Sequence, residues 1–181
     1  MIKLQTPFKL KDINNLKIGD RVLLSGVIYT ARDKAHQFLI KNTFPFIEGS
    51  VIYHCGPLVK NNEVIAAGPT TSSRMNKYTP KLIKKYKIRA IIGKGGMDKN
   101  VSEALRDKAV YFSAIGGAAV IYAKMMKIIE CFQEEFGMTE AIWKIEVINF
   151  PLIVTMDCKG NNLYEEICHS SKGKLQKFLN R

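Results

Sequence analysis

The sequence predicts an α/β fold built on a mixed, partly parallel sheet, and two observations carry that expectation. Between residues 88 and 129, short apolar runs of strand length alternate with stretches of helical period, a succession that lays strands side by side in parallel. Nearer the C-terminus, Trp143-Lys144-Ile145-Glu146-Val147 alternates apolar and polar residues with period two, the pattern of a half-buried strand. The chain has 181 residues, 46% of them hydrophobic, enough for one domain with a sizeable core.

In chain order, residues 10–20 read as a polar lead-in ending in the turn Lys17-Ile18-Gly19-Asp20, and 21–29 as a strand. Thr30 or Asp33 can then cap a short helix that turns Ala35, Phe38, Leu39 and Ile40 inward, which puts Arg32 at a strand-to-helix junction. A Phe-Pro-Phe loop spans 43–49. Strands are expected at 51–55 and 63–67, with Gly56-Pro57 and Asn61-Asn62 as turns, and with His54 packed within or beside the sheet. The hydroxyl run Thr70-Thr71-Ser72-Ser73 predicts a helix start, and the polar helix that follows breaks at Pro80, where Thr79 begins another. Then come a strand at 88–92, a helix at 98–108, a strand at 109–113, a helix at 118–129 and two late strands at 143–147 and 152–156. Residues 161–181 predict a helix interrupted at Gly173 and frayed at its end; 1–14 and 166–181 are read as terminal extensions of the single domain.

Two stretches carry chemistry. Gly68-Pro69-Thr70-Thr71-Ser72-Ser73-Arg74 breaks an apolar run and, as a helix start, would aim backbone N–H groups at an anion beside the Arg74 guanidinium. Gly93-Lys94-Gly95-Gly96 presents Lys94 on a turn at a strand's carboxyl end, where ligands of α/β sheets gather. Together they predict a small carboxylate or phosphate site, with Arg32 as a further candidate clamp. The P-loop pattern is absent, and the G-x-G-x-x-G register from Gly93 puts Asp98 where the last glycine belongs, so neither nucleotide motif applies.

The formal net charge is +12, from 28 basic and 16 acidic residues. The lysines lack the interleaved aromatics or recognition motif of a base-reading surface, so the charge points to an acidic partner subunit and an anionic small substrate, not to nucleic acid. Cys55, Cys131, Cys158 and Cys168 form no C-x-x-C pair and, with His36, His54 and His169, match no zinc spacing; they read as reduced thiols, and no metal is expected on this chain. No run approaches the ~20 apolar residues of a membrane span, and the first residues lack a signal peptide's apolar core, so a cytoplasmic protein with no membrane partner is expected.

The motifs Tyr29-Thr30-Ala31-Arg32-Asp33-Lys34-Ala35-His36, 68–75, Gly93-Lys94-Gly95, 113–119 and 140–147 together resemble class I fumarate hydratase. The similarity is to the C-terminal domain or separate β-subunit of the iron–sulfur hydro-lyases, L(+)-tartrate dehydratase included, over about residues 15 to 165. It departs at Lys34, where relatives usually carry Ala. The resemblance implies a swivelling β/β/α domain that closes over a 4Fe-4S cluster whose cysteines belong to an α-subunit, in an α2β2 enzyme acting on a small dicarboxylate. It also implies roles: Thr70 as catalytic base, with Thr71 in its place if the register is one residue off, Lys94 close to the reacting centre, and Arg74 and Arg32 on substrate carboxylates. Asp33 and His36 are expected to orient these groups or to serve the core. Three functions stay open, a fumarase β-subunit, a tartrate dehydratase β-subunit and a noncatalytic binding module of the same fold.

Overall fold

The computed structural model describes residues 1–179. Its centre is a ring of five strands. β2 (Arg21–Thr30), β3 (Val51–Tyr53), β6 (Ala90–Gly93) and β7 (Val110–Ser113) lie parallel in that order, and β9 (Ile142–Met156) runs antiparallel to both β7 and β2, closing the sheet on itself. β1 (Ile2–Gln5) extends the sheet beside β2, and β8 (Met126–Phe132) extends it beside β9. A hairpin of β4 (Leu58–Lys60) and β5 (Glu63–Ala66) stands apart; Asn61 and Asn62 form its turn at φ 50° and 60°, a conformation asparagine tolerates. The α/β class and the mixed, partly parallel sheet are therefore as expected, with closure as an added feature.

Alternation along the parallel strands makes two cores. Val51, Tyr53, Ala90, Ile92, Val110 and Phe112 join Leu24, Phe150 and Val154 in one buried cluster. The intervening Ile52, Ile91 and Tyr111 join a second, against Leu39 of α2 (Asp33–Lys41), Leu82 and Ile83 of α3 (Thr79–Tyr86) and Val101 and Leu105 of α4 (Lys99–Leu105). Strands buried on both faces read as continuous apolar runs, as 90–92 does. α3 begins at Thr79 with Pro80 in its first turn, and Asp98 caps α4 by accepting the Val101 N–H at 3.0 Å.

Several expectations differ from the structure. The helix expected over 118–129 is only α5 (Ala119–Ala123); Met126–Phe132 is strand β8, because β9 offers a free edge over its first half and Ile128 pairs there with Ile145. The two late strands are one strand, β9, in which Asn149 at φ 53° takes up the irregularity and Pro151 sits opposite Leu23. The lead-in contains α1 (Leu10–Asn14), whose Ile13 is fully buried, so residues 1–14 contribute both β1 and part of the core. α6 (Leu163–Leu179) runs through Gly173 without the expected break and buries none of its residues; residues 180–181 of the tail lie outside the described residues. Among the described residues no helix is long and apolar enough to cross a membrane.

Phe150 is the aromatic hub of the first core, its ring 5.4 Å from Tyr53 and 4.9 Å from Tyr122 in edge-on contact. Phe150→Ala is expected to lower unfolding free energy by about 3–5 kcal/mol, measured by urea denaturation of the purified chain. A loss under 1 kcal/mol would show that ring closure does not depend on this packing.

Candidate active site

Because β2, β3 and β6 are parallel neighbours, their carboxyl ends open on one side, and the predicted residues sit on the segments that leave or meet those ends. Arg32 lies two residues past the end of β2, at the position before α2. Lys94 follows β6 directly, its stem crossing Gly116, where an added Cβ would stand 3.0 Å from Lys94 Cδ. Thr70 to Arg74 leave the hairpin and stitch these ends together. Thr70 N–H donates to His54 O at 2.8 Å just past β3, Thr71 pairs with Lys94 in an isolated parallel bridge, and Ser72 N–H donates to Lys94 O at 3.0 Å. The Arg74 guanidinium pairs with the Asp33 carboxylate at the start of α2, which joins this loop to the Arg32 junction. Arg32, Thr70, Thr71, Arg74 and Lys94 thus belong to one connected cluster of loops.

The expected helix start at Thr70 is not formed. Thr71 is extended, a single 3₁₀ turn covers Ser72–Met75 without a side-chain cap, and the next α-helix begins only at Thr79. The physical reason is competition: the bridge to Lys94 holds Thr71 in strand geometry, and the Ser72 hydroxyl is committed elsewhere. No helix dipole acts at Thr70. The cations of this cluster are the side chains of Arg32, Arg74 and Lys94.

Those side chains are partly compensated. Arg74 is matched by Asp33, and Arg32 Nε lies 3.4 Å from Glu140 Oε1. That second contact is an ion pair without a hydrogen bond, since the fully buried Nε–H finds no aligned acceptor among the described residues. Glu140 Oε2 instead accepts the Lys34 N–H at 2.9 Å. The guanidinium packs so closely on Gly56 that a Cβ there would approach Nη1 to 2.9 Å. Lys94 is exposed and forms no ion pair among the described residues. Three cations from three loops, one with an unmet buried donor and one unpaired, suit a small anion with two carboxylates.

Beneath the loops lie two fully buried histidines, with rings 5.0 Å apart and edge-on. His36 Nδ1 donates to Arg32 O at 2.8 Å, and His54 Nδ1 lies 2.9 Å from Ser72 Oγ. Burial pulls the His36 pKa down to about 4 against small opposing effects of Arg32 O and Asp33; burial, with His36 adding to it, pulls His54 well below the ordinary imidazole value. Both are therefore neutral near pH 7.

Glu140, Ser72 and Tyr111, whose Oη lies 2.9 Å from Ser72 Oγ, take part in this arrangement without having been singled out in the sequence as site residues. Ser72 was legible only as one of four interchangeable hydroxyls, and Tyr111 only as a strand residue. Among the described residues no set of three or more His, Cys, Asp or Glu side chains converges as a metal site. Cys55 and Cys158 are buried, Cys131 is half-buried and Cys168 is exposed, with no pair of them joined. This donor set does not fit an iron–sulfur cluster.

The chain is thus a closed α/β sheet with a cation-rich cluster of loops at its strand ends. Comparison with known proteins takes the class further: the family model described as Fumarase C-terminus matches residues 1–167, and the chain belongs to that family. It is 45% identical to a protein provisionally named class I fumarate hydratase from Geobacillus stearothermophilus, over 98% of this chain but 36% of that protein, so it spans about a third of that relative's length. It is 44% identical to a protein provisionally named L(+)-tartrate dehydratase subunit beta from Methanocaldococcus jannaschii, over 93% of this chain and 94% of that one. To the L(+)-tartrate dehydratase subunit beta of Escherichia coli it is 37% identical, over 90% of this chain and 86% of that one.

The buried histidines make stability depend on pH. Their native pKa values lie below the unfolded value of about 6.5, so the unfolded chain binds more protons as pH falls, and stability present above pH 6.5 is lost on the way down toward 4. For His36 alone the loss amounts to about 3 kcal/mol. Urea unfolding between pH 7.5 and 4.5 should show this decline, and His36→Asn, which cannot titrate, should flatten it. Equal slopes in the two proteins would mean that His36 does not stay neutral.

Proposed function

We propose that the chain is the β-subunit of a two-subunit class I fumarate hydratase, a swivelling domain whose loop cluster closes over substrate and catalyses the reversible hydration of fumarate to (S)-malate. The observation that carries this reading is the joining of the loops that bear Arg32, Thr70, Arg74 and Lys94, through the Arg74–Asp33 pair and the backbone contacts of Thr70, Thr71 and Ser72, in a chain of the Fumarase C-terminus family. The 4Fe-4S cluster of such an enzyme has no fitting donors here, so it belongs in this reading to the α-subunit, with α2β2 as the expected assembly.

This chain's own residues then bind and move a proton. Arg32 and Arg74 hold the two carboxylates, the planar fork of each offering two parallel N–H donors. Substrate binding at Arg32 falls to the partly exposed remainder of the side chain, since Nε is buried beside Glu140. Thr70 Oγ takes the carbon-bound proton. An alcohol is a poor acid, so its ionised form needs nearby cations, and with no helix dipole at Thr70 that demand falls on Lys94 and Arg74. Thr71 is the alternative base, one residue along the same loop.

A second reading is the β-subunit of L(+)-tartrate dehydratase: the two relatives of that name compared above align with this chain over 94% and 86% of their own length, as a separate subunit would. Either substrate is a dicarboxylate, and the two readings share every residue role above.

The test is co-expression with the candidate α-subunit, anaerobic reconstitution, and assay of fumarate, malate and tartrate. Turnover is expected from the complex and none from this chain alone. In the loaded complex, Thr70→Ala should lower kcat by about 10²–10⁴ with a smaller effect on KM, while Arg74→Lys should chiefly raise KM. Near-normal turnover in Thr70→Ala would move the base role to Thr71 or to the partner, and a complex silent on all three substrates would leave a noncatalytic binding module.

A further inference from the structure

The Ser72 hydroxyl sits where the loop bearing Thr70 and Arg74 meets the Lys94 turn and the end of β3. It is fully buried, with Lys94 N–H 3.3 Å away, His54 Nδ1 2.9 Å away and Tyr111 Oη 2.9 Å away. Gly93 is the only residue type that fits beneath it, since a Cβ there would overlap Ser72 Oγ. Proton counting fixes the direction of each bond. Tyr111 Oη also lies 2.7 Å from Gly95 O, a carbonyl that can only accept, so the single phenol proton goes there. Ser72 must then donate its own proton to Tyr111 Oη, and its two lone pairs accept from Lys94 N–H and His54 Nδ1–H. One donor and two acceptors is the full capacity of a hydroxyl.

From this geometry we propose that Ser72 is a positioning residue for the proposed dicarboxylate site, and that His54 and Tyr111 lock it. Its hydroxyl sets the spacing between the loop bearing Thr70 and Arg74 and the turn bearing Lys94. The proposal rests on the functional reading above for its catalytic consequence, but the lock itself is a property of this chain. The same assignment gives His54 the Nδ1–H tautomer. Nδ1 of His36 likewise donates, to Arg32 O, so each imidazole keeps a bare Nε2 acceptor that has no partner among the described residues. His36 thereby links the Arg32 junction to the ring-on-ring contact with His54, and through His54 to Ser72. Because Thr70 N–H also donates to His54 O, a single residue, His54, holds Thr70 through its backbone and Ser72 through its ring.

Two substitutions of His54 separate the ring's two nitrogens. Asparagine places its amide where Nδ1 was and can still donate to Ser72, whereas glutamine reaches the Nε2 position and cannot. Hydrogen exchange on the full-length purified chain reads the lock directly. Exchange of the Ser72 amide, which donates to Lys94 O at 3.0 Å, should accelerate about tenfold or more in Ser72→Ala and His54→Gln. It should stay within about threefold of wild type in His54→Asn, and amides of the β3–β6 ladder should keep their protection in all three. In the loaded complex the same order should appear as kcat falling by about 10- to 100-fold in Ser72→Ala and His54→Gln with KM nearly unchanged, since displaced catalytic groups cost turnover first. Unchanged Ser72 exchange in Ser72→Ala, or asparagine behaving like glutamine at 54, would overturn the proposal. A wild-type complex inactive on every substrate would count against the functional reading alone, and the exchange comparison would still decide whether Ser72 is the lock.

Discussion

The structure depends on one closure, the antiparallel pairing of β2 with β9 from Arg21 opposite Ile153 to Tyr29 opposite Lys144. Without that seam, β2, β3, β6 and β7 would be an open sheet with two edges. With it, the first core is enclosed and the carboxyl ends of β2, β3 and β6 are held in one rim. Loops at such a rim can carry strained polar clusters because the scaffold beneath is over-determined. The site is therefore a consequence of the ring: move β9 and the Arg32, Thr70 and Lys94 segments lose their common frame.

The rim solves an electrostatic difficulty by division of labour. Cations gathered at one rim repel one another, and here Asp33 and Glu140 partly neutralise Arg74 and Arg32 while Lys94 stays exposed and unpaired among the described residues. Glu140 meets Arg32 Nε at 3.4 Å without a hydrogen bond, a contact that lowers repulsion but leaves the donor unspent. Underneath, uncharged groups do the holding. Neutral imidazoles and hydroxyls can be buried at far lower cost than ions, so the loops are tied from below without adding charge to the site.

Much of this was legible in the sequence because local signals and tertiary demands agreed. The apolar residues at 90–92 and the start at Thr79-Pro80 each behave as composition dictates, and the motif set led to the family. The failures have a common cause in pairing across the chain. Residues 126–129 have helical neighbours but become strand because β9 presents an edge, and Pro151 does not end a strand that Asn149 has already kinked. At the site, four consecutive hydroxyls signal a cap to any local reading. Only the position of Lys94 and His54, distant in sequence, makes Thr71 extended and gives Ser72 three partners. The candidate residues were visible, but the bonds between them were not.

The most direct measurement of the central claim is a crystal structure of the cluster-loaded complex of this chain with its α-subunit and bound (S)-malate. The account predicts one carboxylate of the ligand on the Arg32 guanidinium, the other on Arg74, and Thr70 Oγ within hydrogen-bond reach of the carbon that exchanges its proton. Malate bound with both carboxylates on the α-subunit, and this rim open to solvent, would contradict it.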